Sequence, residues 1–416
     1  MAEELADQPK GTAEELADQP KGTAEELAEL AGAEWVFTDE QNQLRAAVRA
    51  FCADHADETA VREAMESDPP FDAKVWRRLG AELGVFGMAV PESAGGAGGN
   101  LVDQAVAVEQ LGAALACGPL FGTVYLAIPA LVAASGGAEL LEPLIEGTRT
   151  AAFVVHDDAG AFDPATVAVQ ATRADQGWAL SGTVERVVDA GAADVLLVAA
   201  NTPDGVGLFA VDTEASGLQR IPLTTLDLTR PQATVVLTDA AAELIAGPDE
   251  AERVITHALQ VGAALLAVEQ VGAAAHLLDL TVDYAKKRLQ FGRPIGSFQA
   301  VKHRLADDLV ALEHARSTAY HAIWALANGS DDPALAVSIA QAICSDAFVR
   351  VATDTIQVHG GIGFTWEHQA HLYYKRAYTD AALLGSAEQH RSRVAEFVLD
   401  AAPEKNPPPV ATGTPS

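Results

Sequence analysis

Basic residues are scarce in this chain of 416 residues, which carries 27 Lys and Arg against 58 Asp and Glu. The resulting formal net charge of -31 repels phosphate backbones and anionic lipid surfaces. No Lys- or Arg-rich run offsets this charge locally. We therefore expect neither nucleic acid nor a membrane surface among the partners.

Cysteine is also rare. The three cysteines, Cys52, Cys117 and Cys344, form no CxxC pair and no Cys/His cluster at zinc spacing. This excludes a disulfide scaffold and a structural zinc site, and no other metal site is predicted. The first residues are acidic, whereas a signal peptide needs a basic start and an apolar core. We expect a cytoplasmic protein in a reducing compartment.

One long stretch, residues 110–138, lacks charge altogether and has the length of a membrane span. Gly118-Pro119, Pro129 and Ser135-Gly136-Gly137 interrupt it, and no basic flank sets an orientation. The pattern favours a pair of buried core helices over a membrane span.

The chain changes character along its length. Residues 2–12 repeat identically as residues 13–23, and each copy contains Pro-Lys-Gly, which ends any helix. A helical pattern then begins at a predicted cap, Thr38 with Glu40 and Gln41. Within residues 150–245 five short apolar runs between turn residues predict strands: AAFVVHDD, WALSG, ADVLLVAA, GVGLFAVD and ATVVLTDA. Long helical periodicity returns from Glu250. We predict an α+β fold in five parts. Residues 1–34 are an acidic repeat tail that is disordered or a docking segment, residues 35–148 an N-terminal helical domain, and residues 149–247 a central β-domain. Residues 248–400 are a C-terminal helical bundle domain, and residues 401–416 are a disordered tail.

Residues 254–268 are apolar on nearly every face, and Val301, Leu305, Leu309 and Leu312 add a further stripe. A helix without a polar face must be covered all round. A bundle shared between subunits would supply this cover, so the sequence favours an oligomer.

The last third of the chain contains three local signals, at residues 288–299, 300–307 and 357–364. The first brings together a guanidinium, an aromatic ring and a side-chain amide, from Arg288, Phe291 and Gln299. An Arg fork suits a diphosphate, and a ring can flank a purine. Glycines within residues 360–363 permit a ligand to approach the backbone closely. Helical sequence precedes them, so they are not a Rossmann fingerprint. Together these residues indicate a site for the phosphate–adenosine half of a dinucleotide.

These segments, RLQFGRPIGSFQAVKHRLAD and QVHGGIGFTWEH, resemble the two C-terminal signatures of the acyl-CoA dehydrogenase family. Residues 83–98 and 109–112 resemble its N-terminal signatures, and the resemblance covers residues 36 to about 399. It implies a helical domain, a central β-barrel or sandwich domain and a four-helix bundle, assembled around FAD. It also implies α,β-dehydrogenation of an acyl-CoA thioester, with electrons passed to an electron-transferring flavoprotein.

The resemblance also shows what this chain lacks. Leu384 stands where most family members carry the glutamate that removes the Cα proton, and Gly262 stands at the position used by a second subgroup, 29 residues before Phe291. The nearest acid, Glu269, lies roughly 10 Å further along the helix axis. No catalytic base is therefore assigned.

The side of the site that faces the flavin ring is altered as well. The family's Thr-Glu-Pro segment is replaced by His156-Asp-Asp-Ala-Gly160, and its Lys-x-Trp-Ile-Thr segment by Val184-Glu-Arg186-Val-Val188. A buried Arg186 would need a partner. The residues that reach a neighbouring subunit's FAD are present, and we expect cofactor-binding roles for Arg288, Gln290, Phe291, Gln299, Gln357, Gly360 and Gly361.

The chain thus keeps the residues for a neighbouring subunit's FAD and lacks both the base and the residues that face the flavin ring. In this it resembles the subunit without a catalytic acid in heteromeric α2β2 acyl-CoA dehydrogenases of actinobacterial steroid breakdown. The leading hypothesis is a subunit that completes the FAD site of a catalytic paralogue. One alternative is an independent homomeric flavoenzyme that uses Glu367, Asp380 or Glu388 as its base. The other is a flavin-free scaffold.

Overall fold

The computed structural model describes residues 37–155, 161–174, 177–329 and 331–399. Both expected tails and the segment His156–Gly160 lie outside the described residues. Within these ranges the chain forms eleven α-helices and one mixed seven-stranded sheet, with a two-stranded hairpin between helices.

The N-terminal helices begin at capping residues that the sequence supplies. Thr38 and Gln41 exchange side-chain-to-backbone hydrogen bonds of 3.1 and 3.2 Å, which confirms the predicted cap of the first helix. Asn100 and Asp103 form a second capping box. The six helices are α1 Asp39–His55, α2 Glu58–Glu66, α3 Ala73–Ala81, α4 Leu101–Ala113, α5 Ile128–Ala133 and α6 Leu141–Ile145.

The charge-free stretch forms the end of α4, a π-helical segment at Leu120–Ala127, and α5. Every residue of the π-helical segment is buried within the protein. Two other helices, Ala251–Lys287 and Pro333–Phe364, are long and apolar enough to cross a membrane by length and composition alone. Their apolar windows are 89% and 61% buried, as core helices are.

The central strands close into a β-barrel. β4 pairs with β5, β5 with β7, β7 with β3, β3 with β2, and β2 returns to β4, while β1 and β6 attach to β4 and β7. The strands are β1 Ala151–Val154, β2 Gln170–Arg173, β3 Trp178–Val188, β4 Val195–Thr202, β5 Gly205–Asp212, β6 Leu218–Pro222 and β7 Gln232–Ala246. The apolar runs predicted β1, β3, β4, β5 and β7. They missed β2, which buries a single residue, and β6, which buries none.

The C-terminal helices form a bundle around one long buried helix. Its elements are α7 Ala251–Lys287, the hairpin strands β8 Leu289–Gln290 and β9 Arg293–Pro294, α8 Gln299–Asn328, α9 Pro333–His359, α10 Ala370–Asp380 and α11 Ala387–Leu399. Helices α4, α8 and α9 pack around α7 within the same chain. The inference that α7 needs a second subunit to cover it was therefore wrong. On α8, by contrast, Leu309 and Val310 are 50% and 70% exposed.

Two glycines set the close approach of α4 and α7. A Cβ at Gly272 would lie 1.9 Å from the carbonyl oxygen of Glu109, and one at Gly112 would lie 2.3 Å from that of Glu269. Only glycine fits at such a crossing. The contact positions the buried carboxylates of Glu109 and Glu269 on the two helices. Glu109 there pairs with Arg316 of α8.

Candidate functional site

A cavity of about 350 Å³, the central cavity, lies where the barrel meets the helices. One wall comes from β1, β3, the loop between β6 and β7 and the start of β7, and the others come from the π-helical segment, α7, the end of α10 and the residues that follow it. Its apolar lining includes Phe121, Leu126, Phe153, Leu259 and Leu384.

One of the two expected base positions, Leu384, lines this cavity, the other, Gly262, lies behind its wall, and neither carries an acid. Leu384 lines the cavity with a left-handed backbone, φ 55°. Gly262 packs against the cavity wall, because a Cβ there would lie 2.4 Å from Cδ2 of Leu126. A glutamate at position 262 would therefore displace Leu126. Leucine cannot accept a proton, so neither position supplies a base.

The β3 wall of the central cavity carries two charged side chains. The pairing of β3 with β7 shifts between Val184 and Val187, and Arg186 within this bulge has a φ of 59°. A bulge redirects side chains, and here Glu185 and Arg186 both line the cavity. Arg186 is exposed, so it is not the buried arginine that the sequence analysis considered. Among the described residues of the lining, Glu185, which the sequence analysis did not select, is the one carboxylate.

The three acids considered as alternative bases do not line the central cavity. Glu367 and Glu388 are exposed on the surface. Asp380 is completely buried, with Oδ1 3.2 Å from Nε of Arg230. None of the three is thus placed at the cavity wall, although Asp380 lies beside the cavity, next to the lining residue Thr379.

Asp380 belongs to a group of buried charges, the ion cluster, beside the central cavity. Arg376 donates to Oε1 of Glu269 at 2.6 Å and to Oδ2 of Asp227 at 3.0 Å. Arg230 also donates to Glu269. All five side chains are at most 5% exposed. The cluster connects α7, α10 and the loop before β7.

The neighbours of the ion cluster extend it to the N-terminal helices and the central cavity. The hydroxyl of Tyr125, in the π-helical segment, donates to Oε2 of Glu269 at 2.8 Å. Arg230 lies over the ring of Phe121, 5.3 Å from its centroid, and Phe121 lines the central cavity. The cluster therefore holds one wall of this cavity in place.

Burial and neighbouring charges shift the pKa values of two acids in the ion cluster, Glu269 and Asp380, in opposite directions. Burial would raise the pKa of Glu269, but Arg230 and Arg376 outweigh it and lower that pKa. Burial raises the pKa of Asp380 to about 7, against the opposing effect of Arg230. With Asp380 protonated, two guanidinium groups face the two carboxylates of Asp227 and Glu269. Glu269 is a structural counter-ion and not a free base.

The expected nucleotide-binding residues lie elsewhere, at the bundle end, where α7 and α9 end and α8 begins. The ring of Tyr284 stacks on that of His359 at 4.2 Å and joins the ends of α7 and α9. The seven residues here are all exposed, and none lines the central cavity: Arg288, Gln290, Phe291, Gln299, Gln357, Gly360 and Gly361.

Local geometry explains how the bundle end presents these groups. Phe291 and Gly292, with φ of 53° and 76°, turn the hairpin and leave the ring of Phe291 91% exposed. Gly360 ends α9 with φ 67°, a conformation that favours glycine. Gly361 has no such need, and a Cβ there would meet no atom within 4 Å. The chain's own packing does not require glycine at position 361, whereas a closely bound ligand would.

Comparison with known proteins identifies the architecture. Residues 38–145 match the profile described as "Acyl-CoA dehydrogenase, N-terminal domain", and residues 252–399 match "Acyl-CoA dehydrogenase, C-terminal domain". Acyl-CoA dehydrogenase IpdE2 of Mycolicibacterium smegmatis is 37% identical over 357 residues, which are 86% of this chain and 98% of the relative.

Two solved structures show the same fold. A variant of the steroid acyl-CoA dehydrogenase Tcur3481-Tcur3483 is 30% identical, with a TM-score of 0.79, and the match covers 88% of this chain and 99% of that one. The ChsE4-ChsE5 complex from Mycobacterium tuberculosis is also 30% identical, with a TM-score of 0.78 and coverage of 89% and 99%.

Proposed function

Because this chain belongs to the acyl-CoA dehydrogenase family, we propose that it is the subunit without a catalytic base in a heteromeric acyl-CoA dehydrogenase. Its partner is a catalytic paralogue, and the substrate is an acyl-CoA thioester derived from a steroid. The steroid assignment follows the relatives, one of which is named as a steroid acyl-CoA dehydrogenase. Reoxidation by an electron-transferring flavoprotein belongs to the same proposal.

The observation that carries the proposal is that neither expected base position supplies an acid to the central cavity: Leu384 lines it and Gly262 lies behind Leu126. The family's reaction begins with removal of a Cα proton, which needs a carboxylate of suitable pKa within hydrogen-bond reach. Here Leu384 lines the cavity and Leu126 fills the space beside Gly262. The nearby acids Glu269 and Asp380 face arginines in the ion cluster.

FAD is the cofactor of this family and, when bound, supplies the hydride acceptor. The residues at the bundle end fit its diphosphate and adenosine half: Arg288 offers a guanidinium, Gln299 and Gln357 offer amides, and Gly361 leaves the backbone open. The residues of the central cavity do not fit the ring half in the same way. Arg186 and Val188 replace the aromatic wall and the hydroxyl that the family carries there.

This contrast supports a division of labour between two subunits. The bundle end is exposed, so in this chain it encloses no ligand by itself. A second subunit that contributes a complete ring site would cover it. The exposed apolar residues Leu309 and Val310 of α8 support an oligomer in addition. Exposed apolar positions of this kind favour a protein–protein interface.

One observation favours the alternative of an independent enzyme. Glu185 lines the central cavity and, within the part of the chain that the structure describes, is the only lining carboxylate that could take a proton. It lies on β3, on the barrel side of the cavity, where the family places the flavin ring. Glu185 is thus a candidate base in the homomeric alternative. In the heteromeric proposal it has no catalytic role.

The test compares this chain purified alone with the chain co-expressed with an acyl-CoA dehydrogenase paralogue that retains the glutamate. We expect stoichiometric visible flavin absorbance and dehydrogenation only in the complex. Glu185→Gln in this chain should leave that activity unchanged. Flavin and turnover from the chain alone, lost in Glu185→Gln, would instead establish the homomeric enzyme.

A second measurement separates a flavin-binding subunit from a scaffold. Arg288→Ala and Gln299→Ala in this chain should lower the FAD content of the complex by more than half. Lys302→Ala is the matched control, since Lys302 is exposed on the same helix as Gln299 but outside the proposed set. Unchanged flavin content in both variants would contradict the proposal and support the scaffold.

A further inference from the structure

A second cavity, the N-terminal cavity, lies among α1, α2, α3 and α4 and has a volume of about 320 Å³. None of its lining residues belongs to the central cavity, the ion cluster or the bundle end. Ala116 forms part of its floor and also lines a small polar space beside Arg230 and Arg376. This cavity has no role in the function proposed above.

The walls of the N-terminal cavity are mainly apolar. Phe51, Val61, Phe71, Leu79 and Leu111 come from four helices and the loop before α3. Protein interiors are packed as closely as organic crystals, and apolar side chains around a void lose their dispersion contacts. Pockets that bind small molecules begin at about 300 Å³. The space is therefore of the size and polarity that an apolar ligand fills.

The charged groups at the cavity define the class of ligand. Glu63 and Asp72 are the acidic side chains among the described residues of the lining, which include no lysine or arginine. His55 also lines the cavity, and its Nε2 accepts a hydrogen bond of 2.7 Å from Arg78. Glu63 and Asp72 lie at the exposed edge of the cavity and repel an anion, so they favour a neutral ligand over a free fatty acid or a CoA thioester.

The two cysteines of the lining add apolar surface. Burial raises the pKa of Cys52 to about 12, and burial raises the pKa of Cys117 to about 12 as well. Both are thus neutral thiols, which behave as small apolar side chains and not as nucleophiles or metal ligands.

We propose that the N-terminal cavity is a binding site for one neutral apolar small molecule, such as a long-chain alcohol or an uncharged ring system. The walls supply dispersion contacts, and Glu63 and Asp72 discriminate against acids of the same size. The proposal is independent of the heteromeric function, because it concerns residues of this chain alone.

The experiment uses the full chain and the neutral fluorophore N-phenyl-1-naphthylamine. We expect one saturable site per chain, from which decan-1-ol displaces the dye at least ten times better than decanoate. Ala64→Phe places a ring in the cavity and should abolish binding. Ala53→Phe is the matched control on the exposed face of α1, and it should bind normally.

Two further variants keep the result unambiguous. Ala60→Leu also fills the N-terminal cavity and replaces Ala64→Phe if that variant does not fold. Leu384→Trp fills the central cavity and should leave dye binding unchanged. Absence of binding, equal competition by decanoate, or loss of binding in Leu384→Trp alone would each overturn the proposal.

Discussion

Replacement of Glu269 by glutamine tests the ion cluster most directly. Oε1 of Glu269 accepts hydrogen bonds from both Arg230 and Arg376, and Oε2 accepts one from Tyr125. Glutamine preserves the shape of the side chain but removes the charge. Two guanidinium groups, 5% and 4% exposed, would then share the single carboxylate of Asp227.

The expected cost is about 3–5 kcal/mol of the free energy of unfolding, because removal of one partner leaves a buried charge uncompensated. The matched control is Glu82→Gln, which breaks an ion pair with Arg78 whose side chains are 41% and 58% exposed. Exposed pairs contribute about 0–1 kcal/mol. Urea unfolding followed by circular dichroism and tryptophan fluorescence at pH 7 measures both variants.

A double variant at Glu269 and Asp380 tests whether a second carboxylate can compensate for the lost charge. In Glu269→Gln, Asp380 can lose its proton and replace the missing charge beside Arg230. The double variant Glu269→Gln/Asp380→Asn cannot do so, and it should be less stable than the two single variants predict by about 0.5–3 kcal/mol. Glu269→Gln no more destabilised than Glu82→Gln would refute the view that the two buried arginines depend on this carboxylate.

Further predictions concern the pH dependence of stability, the glycines at the α4–α7 crossing and at the bundle end, and the side of the central cavity that would face the flavin ring. Burial raises the pKa of Asp380 to about 7, above its ordinary value of 3.8, so the folded chain retains a proton that the unfolded chain has lost. The contribution of Asp380 to the free energy of unfolding should therefore fall as pH rises from about 4 to about 7, and the difference in stability between Asp380→Asn and the unchanged chain should follow this fall in urea titrations at several pH values. Gly272→Ala should cost at least about 1–3 kcal/mol because its Cβ meets the Glu109 carbonyl, whereas Gly361→Ala should leave unfolding unchanged and lower only the FAD content of the complex. Leu384→Glu should not make the isolated chain active in an anaerobic dye-reduction assay with acyl-CoA, and activity there would show that its ring site is intact.

Local sequence patterns predicted much of the architecture, because helices and strands depend on the spacing of apolar residues. The cap at Thr38 and the strand runs around Leu196 and Phe209 are examples. β6 escaped prediction because its five residues, Leu218–Pro222, include no fully buried side chain. The sequence analysis attributed the packing partners of α7 to a second subunit, because the sequence of an apolar helix is the same whether its neighbours belong to its own chain or to another.

The residues of the candidate site were also predictable from the sequence only in part. The motifs at the bundle end are contiguous in sequence, so Arg288, Phe291 and Gln299 could be selected from residue types and spacing alone. Glu185 could not, since a bulge in β3, and no pattern of residue types, turns its side chain toward the central cavity. The same bulge brings Arg186 to the cavity surface.

The sequence, through its resemblance to the acyl-CoA dehydrogenase family, determined that both expected base positions lack an acid and that the residues proposed for the nucleotide half of a cofactor are present, because residue types at matching positions can be compared without a fold. Only the tertiary structure decided which carboxylates remain available to accept a proton and which are paired with buried arginines. Tyr125 and Glu269 are 144 positions apart, yet they share a hydrogen bond. The charge state of a buried acid depends on its desolvation and on such distant neighbours, and neither is encoded locally.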